Sequence, residues 1–129
     1  MRTIRRLTAA VVALVALAAA APGSALDPPP FAEVQSLWTN FWTRMAADDV
    51  QGAKGLLATL AYVRFPGSRS LAEWHEVALE MAFCRLEDAP QAAARDAYAY
   101  PLHCRQGDET ATSVVMVRFE DGRWWLLQP

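Results

Sequence analysis

The sequence has little of what most enzymes need. Its 129 residues include two cysteines, two histidines and six glycines, and Lys54 is the single lysine among twelve basic residues. No glycine-rich loop opens a helix after a strand, so a nucleotide-binding loop is unsupported. No serine lies in the Gly-x-Ser-x-Gly pattern of a nucleophile elbow. The sequence therefore offers no motif for phosphoryl or acyl transfer.

An apolar run near the N-terminus, residues 7–21, is shorter than a membrane-spanning helix. Residues 1–6 include three arginines, residues 7–21 are apolar apart from Thr8, and residues 22–25 are small or helix-breaking. This order is typical of a cleavable secretory signal, whereas a spanning helix needs about 20 apolar residues. We expect a signal peptide at 1–25, a proline-rich spacer at 26–30 and a single domain at 31–129, exported to the periplasm or secreted. A retained membrane anchor is the alternative.

Removal of the signal segment makes the remaining chain acidic. Nine basic residues then face fourteen acidic ones, a net charge of −5. Nucleic acids and anionic membranes need concentrated Lys and Arg, and the sequence shows no basic cluster after residue 25. We therefore expect neither partner. Arginine in place of lysine, with abundant alanine, indicates a bacterial protein from a GC-rich genome.

The two cysteines predict a disulfide. Cys84 and Cys104 form an even set in an exported chain, and an oxidising compartment favours their pairing. Two buried thiols are the alternative. A zinc set of both cysteines with His75 and His103 has the right count but lacks the short Cys-to-Cys spacing of structural zinc sites. We expect no metal and no other cofactor.

The first half of the mature chain has helical periodicity. A long first helix is predicted from apolar residues at helical spacing, namely Phe31, Val34, Leu37, Trp38, Phe41, Trp42 and Met45. Asp48 and Asp49 predict its end and the cap of a short second helix. Ser70 and Glu73 fit the capping box of a third helix.

The second half has the pattern of strands. Strands are predicted at 83–87, 96–104, 112–120 and 123–128, with a hairpin turn at Asp121-Gly122. In the second of these, Tyr98 and Tyr100 share one face, and Pro101 predicts a bulge or a sheet edge. The whole pattern predicts an α+β domain with three N-terminal helices packed on a curved antiparallel sheet of about four strands.

Two segments resemble the nuclear-transport-factor-2-like superfamily, which has a cystatin-like α+β cone. They are the opening, Trp38-Thr39-Asn40-Phe41-Trp42 followed by residues 47–53, and the closing hairpin at 117–126. The resemblance covers most of the mature chain and implies a curved sheet wrapped around the long helix, with a pocket between them. Members include ketosteroid isomerases, polyketide cyclases, dehydratases and exported domains without known activity, so the fold leaves activity open. The short connection at 61–69 implies a shallow pocket.

Large aromatic side chains are the main functional hint. The candidates to line a pocket are Trp38, Trp42, Tyr62, Trp74, Tyr98, Tyr100 and Trp125. Trp124 and Trp125 are adjacent on a predicted strand and must point to opposite faces. One of them therefore leaves the core, and aromatic surface of this kind marks interaction sites.

Three functions remain open at this point. The favoured one is an exported, non-enzymatic module, without catalytic residues, that binds a small apolar ligand or a protein partner. The second is an isomerase, cyclase or dehydratase that uses Asp96, His75 or His103 as acid or base beside the tyrosines. The third is a structural homodimer formed through the sheet face that carries Trp124 or Trp125. Convergence of Asp96, Tyr98, Tyr100 or His103 in one pocket would favour the enzyme.

Overall fold

The computed structural model describes residues 26–129, and the expected signal segment lies outside them. This segment forms four α-helices, a short 3-10 helix and five strands. The helices are α1 (Phe31–Ala46), α2 (Val50–Lys54), α3 (Thr59–Arg64) and α4 (Leu71–Glu80), followed by the 3-10 helix Met81–Phe83. The strands are β1 (Cys84–Leu86), β2 (Gln91–Ala94), β3 (Ala97–Gln106), β4 (Glu109–Glu120) and β5 (Arg123–Gln128). The predicted α+β order is confirmed, with one more helix and one more strand than expected.

The long helix α1 forms as its periodicity predicts. Its buried residues are Val34, Leu37, Trp38, Phe41, Trp42 and Met45, which lie on one face of the helix. The next helix, α2, is capped by the Asp49 carboxylate, which accepts a hydrogen bond from the Gly52 N–H at 3.1 Å. The same carboxylate bonds to Arg44 near the end of α1 at 2.7 Å, so one side chain links both helices.

Helix α4 begins with the predicted capping box. The Ser70 hydroxyl accepts from the Glu73 N–H at 3.1 Å, and the Glu73 carboxylate accepts from the Ser70 N–H at 2.9 Å. Two amides at the helix start are thereby satisfied. The helix buries Val77 and Ala78, which join the core formed with α1.

The unexpected helix α3 is held by hydrogen bonds to the sheet. It buries none of its six residues, and six residues are too few to show the helical periodicity that would predict it. The Thr59 N–H and hydroxyl both donate to the Glu120 carboxylate, at 3.0 and 2.9 Å. Just before it, the Ala58 N–H donates to the Leu126 carbonyl at 2.6 Å. These contacts pin the start of α3 against β4 and β5.

The curved antiparallel sheet has the order β1-β3-β4-β5. Both β1 and β2 pair with the same edge of β3, one after the other. Pro101 was expected at a bulge or an edge, but it lies in the internal strand β3. Its carbonyl accepts the Glu87 N–H at 2.9 Å, so its backbone faces the gap between β1 and β2. At that position the missing N–H of proline breaks no ladder hydrogen bond.

The two faces of the sheet are unlike. The inner face contributes Tyr98, Tyr100, Leu102, Val115, Val117, Trp124 and Leu126 to the core cluster that contains α1. The outer face carries a separate cluster of Ala99, Val114 and Met116, with Ala93 and Leu127 against it. Trp124 is buried and Trp125 is half-buried, which confirms that one of the adjacent tryptophans leaves the core.

The predicted disulfide is present between Cys84 and Cys104. The two residues are directly opposite each other on β1 and β3, with their Cα atoms 3.9 Å apart. Because both sulfur atoms are in the bridge, neither is available as a thiolate ligand for the alternative zinc site. Every helix of the segment 26–129 falls short of the length or hydropathy that a bilayer-spanning helix needs.

Candidate functional site

The predicted pocket residues divide into two groups. Trp38, Trp42, Tyr98 and Tyr100 are buried in the core, and Tyr100 is fully enclosed. Tyr62 is exposed on α3, while Trp74 and Trp125 are half-buried. Each of five surface clefts is lined by at most two of these seven side chains. The candidates therefore do not line one common pocket in the described segment.

Four aromatic rings form a closed cluster that joins the core to the surface. Phe41 contacts Trp42 and Phe65, with ring centroids 4.9 and 6.1 Å apart. Trp74 completes the cycle, at 6.0 Å from Trp42 and 5.0 Å from Phe65. Edge-to-face and tilted contacts at these distances stabilise aromatic pairs beyond their buried area. Phe41 and Trp42 are buried, whereas Phe65 and Trp74 reach the surface.

The exposed side of this cluster is the floor of two adjoining clefts, which we call together the Trp74 cleft. Their volumes are about 370 and 280 Å³, and both are lined by Pro66, Gly67, Trp74, Gln128 and Pro129. The first is also lined by Trp42, Val77 and Met81. The second is also lined by Leu57, Ala61, Phe65 and Leu127. The walls are thus mainly apolar and come from α3, α4 and β5.

Trp74 is held in a fixed orientation at the centre of the cleft. Its indole N–H donates to the Pro66 carbonyl at 3.0 Å, and the Arg69 guanidinium lies 4.9 Å from its ring centroid. The turn that brings the Pro66 carbonyl to the indole N–H contains Gly67 at φ 71°, a left-handed conformation that glycine adopts without strain. A preset aromatic surface binds with little ordering of its own side chains.

The acid-base candidates do not converge. The Asp96 carboxylate is bonded to Arg118 Nε at 3.1 Å, and His75 Nδ1 lies 3.1 Å from the Asp48 carboxylate. His103 Nε2 is bonded to the Glu87 carboxylate at 2.5 Å. His103 lies on the sheet face opposite the tyrosines, because side chains alternate along β3. No described pocket brings these groups together.

The two tyrosines on the inner face are also engaged or enclosed. The Tyr98 hydroxyl donates to the Leu26 carbonyl at 2.6 Å. Burial, with a smaller effect of nearby Asp88, Tyr98 and Glu33, raises the pKa of Tyr100 from 10.0 to about 12. Its hydroxyl has no hydrogen-bond partner within residues 26–129. Tyr100 is therefore a neutral core residue at physiological pH, without access to a substrate.

A larger cleft, of about 490 Å³, lies where β1 begins, beside the end of β3 and the start of β4; we call it the sheet-end cleft. It is lined by Phe83, Arg85, His103, Cys104, Arg105, Thr110, Ala111 and Thr112. The sequence pattern singled out His103 and Cys104 from this set but neither arginine. A signal was available: Arg85 and Arg105 each follow a cysteine, so a bridge between the cysteines brings the arginines together.

Comparison with known proteins returned no relative: no protein-family model, no curated protein and no solved structure matches this chain.

Proposed function

We propose that this chain is an exported, non-enzymatic binding module that holds a small apolar ligand in the Trp74 cleft. The observation that carries the proposal is the closed cluster of Phe41, Trp42, Phe65 and Trp74, two of whose rings reach the surface. A core that ends in an aromatic floor presents a rigid, water-poor surface to a ligand. The two adjoining parts, of about 370 and 280 Å³, lie just above and just below the lower limit of the roughly 300–1,000 Å³ of small-molecule sites.

The chemistry of the walls supports an apolar ligand over a polar one. Leu57, Ala61, Leu127, Val77 and Met81 line the two parts of the cleft around Trp74. The polar side chains that also line the cleft, Arg64, Ser68, Arg69 and Gln128, can pair with a polar group on the ligand. A mainly apolar lining with a few polar groups is typical of small-molecule sites.

The placement of the ionisable groups supports binding rather than catalysis. A general acid or base must reach the reacting group within hydrogen-bond distance. Asp96 and His103 are each bonded to a charged side chain, at 3.1 and 2.5 Å, and neither lines the Trp74 cleft. An isomerase, cyclase or dehydratase would need at least one such group in the cleft.

We also propose that the chain is a shortened member of the nuclear-transport-factor-2-like superfamily. A curved antiparallel sheet packed against the long helix α1 supports the cone-like architecture. The residues between α2 and α4 form only the short helix α3 and a turn. This brevity supports a surface cleft where a longer chain would enclose a pocket.

The Trp74→Ala variant tests the binding function with naphthalene as the apolar probe. In the wild-type protein, naphthalene is expected to shift the indole N–H resonances of Trp74 and Trp42 in NMR spectra. Loss of the Trp74 ring removes the floor of the cleft, and we expect at least about tenfold weaker binding, because buried tryptophans dominate such sites. The matched control is Trp125→Ala, which removes a half-buried tryptophan outside the cleft.

Two outcomes would overturn this proposal. One is a titration in which naphthalene shifts neither indole resonance at its solubility limit. The other is equal weakening by Trp74→Ala and Trp125→Ala, which would assign the probe to nonspecific aromatic surface.

A further inference from the structure

The sheet-end cleft concentrates positive charge on the outer face of the sheet. Arg85 is directly opposite His103 in the β1–β3 register, and Arg105 follows two residues later on the same face of β3. Diagonal neighbours of this kind have Cβ atoms roughly 7–8 Å apart or less. All three side chains are exposed and line the same cleft. Strand pairing thus brings together two arginines that are 20 residues apart in the sequence, with a histidine between them.

The charge of the two arginines is not balanced within the described segment. The carboxylate of Glu87 is bonded to His103 at 2.5 Å. Arg85 and Arg105 form no ion pair with residues 26–129, and Arg105 Nε makes only a long contact of 3.4 Å to the Gly107 carbonyl. Like charges close together on a sheet are destabilising. An anion between them would remove that repulsion.

The disulfide joins the two strands from which the arginines project. Cys84 and Cys104 immediately precede Arg85 and Arg105, and their Cα atoms are 3.9 Å apart. The covalent bridge keeps β1 against β3 in spite of the repulsion between the guanidinium groups. Because the bridge fixes the backbone at this end of the sheet, only the arginine side chains need to become ordered when an anion binds.

We propose that the sheet-end cleft binds a phosphate or sulfate group. Both arginines present planar forks of N–H donors that suit such oxyanions. The hydroxyl groups of Thr110 and Thr112, opposite Arg105 and His103 on β4, add two more donors. The ring of Phe83, 46% exposed beside the cleft, is placed to contact an apolar group on an ester of that oxyanion. The site shares no lining residue with the Trp74 cleft.

Calorimetric titration with inorganic phosphate and with phenyl phosphate tests this site, at constant ionic strength set with chloride so that screening stays the same. The double variant Arg85→Gln/Arg105→Gln is expected to weaken binding of either ligand by at least about tenfold, because charged hydrogen bonds to both arginines are lost. The control Arg123→Gln removes an exposed arginine that lies over Trp125 and should leave binding unchanged. Tighter binding of phenyl phosphate assigns the site to an ester; tighter binding of inorganic phosphate assigns it to the free ion.

A second test compares phosphate binding by the oxidised protein and by the protein with its disulfide reduced. Under conditions where the reduced protein is still folded by circular dichroism, we expect weaker phosphate binding than in the oxidised protein. The assignment is overturned if neither ligand binds, or if the double arginine variant binds as tightly as Arg123→Gln. Equal binding by oxidised and reduced protein overturns the role of the bridge.

Discussion

Replacement of both Cys84 and Cys104 by alanine is expected to lower the free energy of unfolding by about 3 kcal/mol. The bridge spans a sequence separation of 20 residues, and the chain-entropy argument gives this loss for a loop of that size. A domain is typically stable by about 5–15 kcal/mol, so the variant would lose a large share of its stability. Urea unfolding followed by circular dichroism measures the difference.

Reducing agent is the matched control for this variant. It should move the urea midpoint of the wild-type protein close to that of the double alanine variant, and it should leave the variant itself unchanged. Identical midpoints for wild type and variant in the absence of reductant would contradict the prediction. A change in the slope of the unfolding curve would indicate that the bridge also compacts the denatured state.

The disulfide also connects stability to compartment. Bridges of this kind persist in oxidising compartments and are rare in the cytosol. A reducing environment would remove the cross-link between the two strands that carry Arg85 and Arg105. The structure is thus suited to the exported location that the N-terminal pattern predicts.

The elements that the sequence predicts well are those with strong local signals. Helix α1 buries the apolar stripe read from its spacing. The capping box at Ser70 and Glu73 marks the start of α4. In the last hairpin, Asp121 and Gly122 adopt φ of 51° and 80°, as a turn favouring Asp-Gly requires. In each case a few neighbouring residues determine the local conformation.

The elements that the sequence does not reveal depend on distant partners. Helix α3 has no buried residue and begins where Glu120 accepts hydrogen bonds from Thr59. Strand β2, Gln91–Ala94, has no β-branched or aromatic residue and exists through its pairing with β3. A local pattern cannot show a partner that arrives from another part of the chain.

The candidate site follows the same division. Composition indicated that aromatic residues matter, but it could not show that Tyr100 is fully enclosed while Trp74 reaches the surface. The charge of the mature chain argued against a basic cluster, yet the register of β1 on β3 places Arg85 opposite His103. Burial and cross-strand pairing depend on the tertiary structure. The sequence therefore indicated which types of residue form the site, but it could not show which individual residues reach the surface.

The variant Phe41→Ala is expected to lower the free energy of unfolding by about 3–5 kcal/mol. Phe41 is completely buried. Its ring lies beneath the Trp74 cleft and contacts the rings of both Trp42 and Phe65. Its removal leaves a cavity in a place where α1 cannot move inward without displacing the sheet. Urea unfolding measures the loss.

The matched control is Phe31→Ala, on the same helix, where a half-buried ring lies 6.1 Å from Tyr100. It should lose less, because part of its surface already faces water. Naphthalene binding gives a second measurement. Phe41 does not line the Trp74 cleft, but its ring packs under Trp42 and Phe65, so Phe41→Ala should weaken the binding. Phe31→Ala should leave the binding unchanged. A Phe41→Ala protein within about 1 kcal/mol of the wild type, an ordinary loss for a point substitution, would mean that the four rings do not act as one packed unit. The floor of the cleft would then owe its rigidity to the contacts of Trp74 with Pro66 and Arg69.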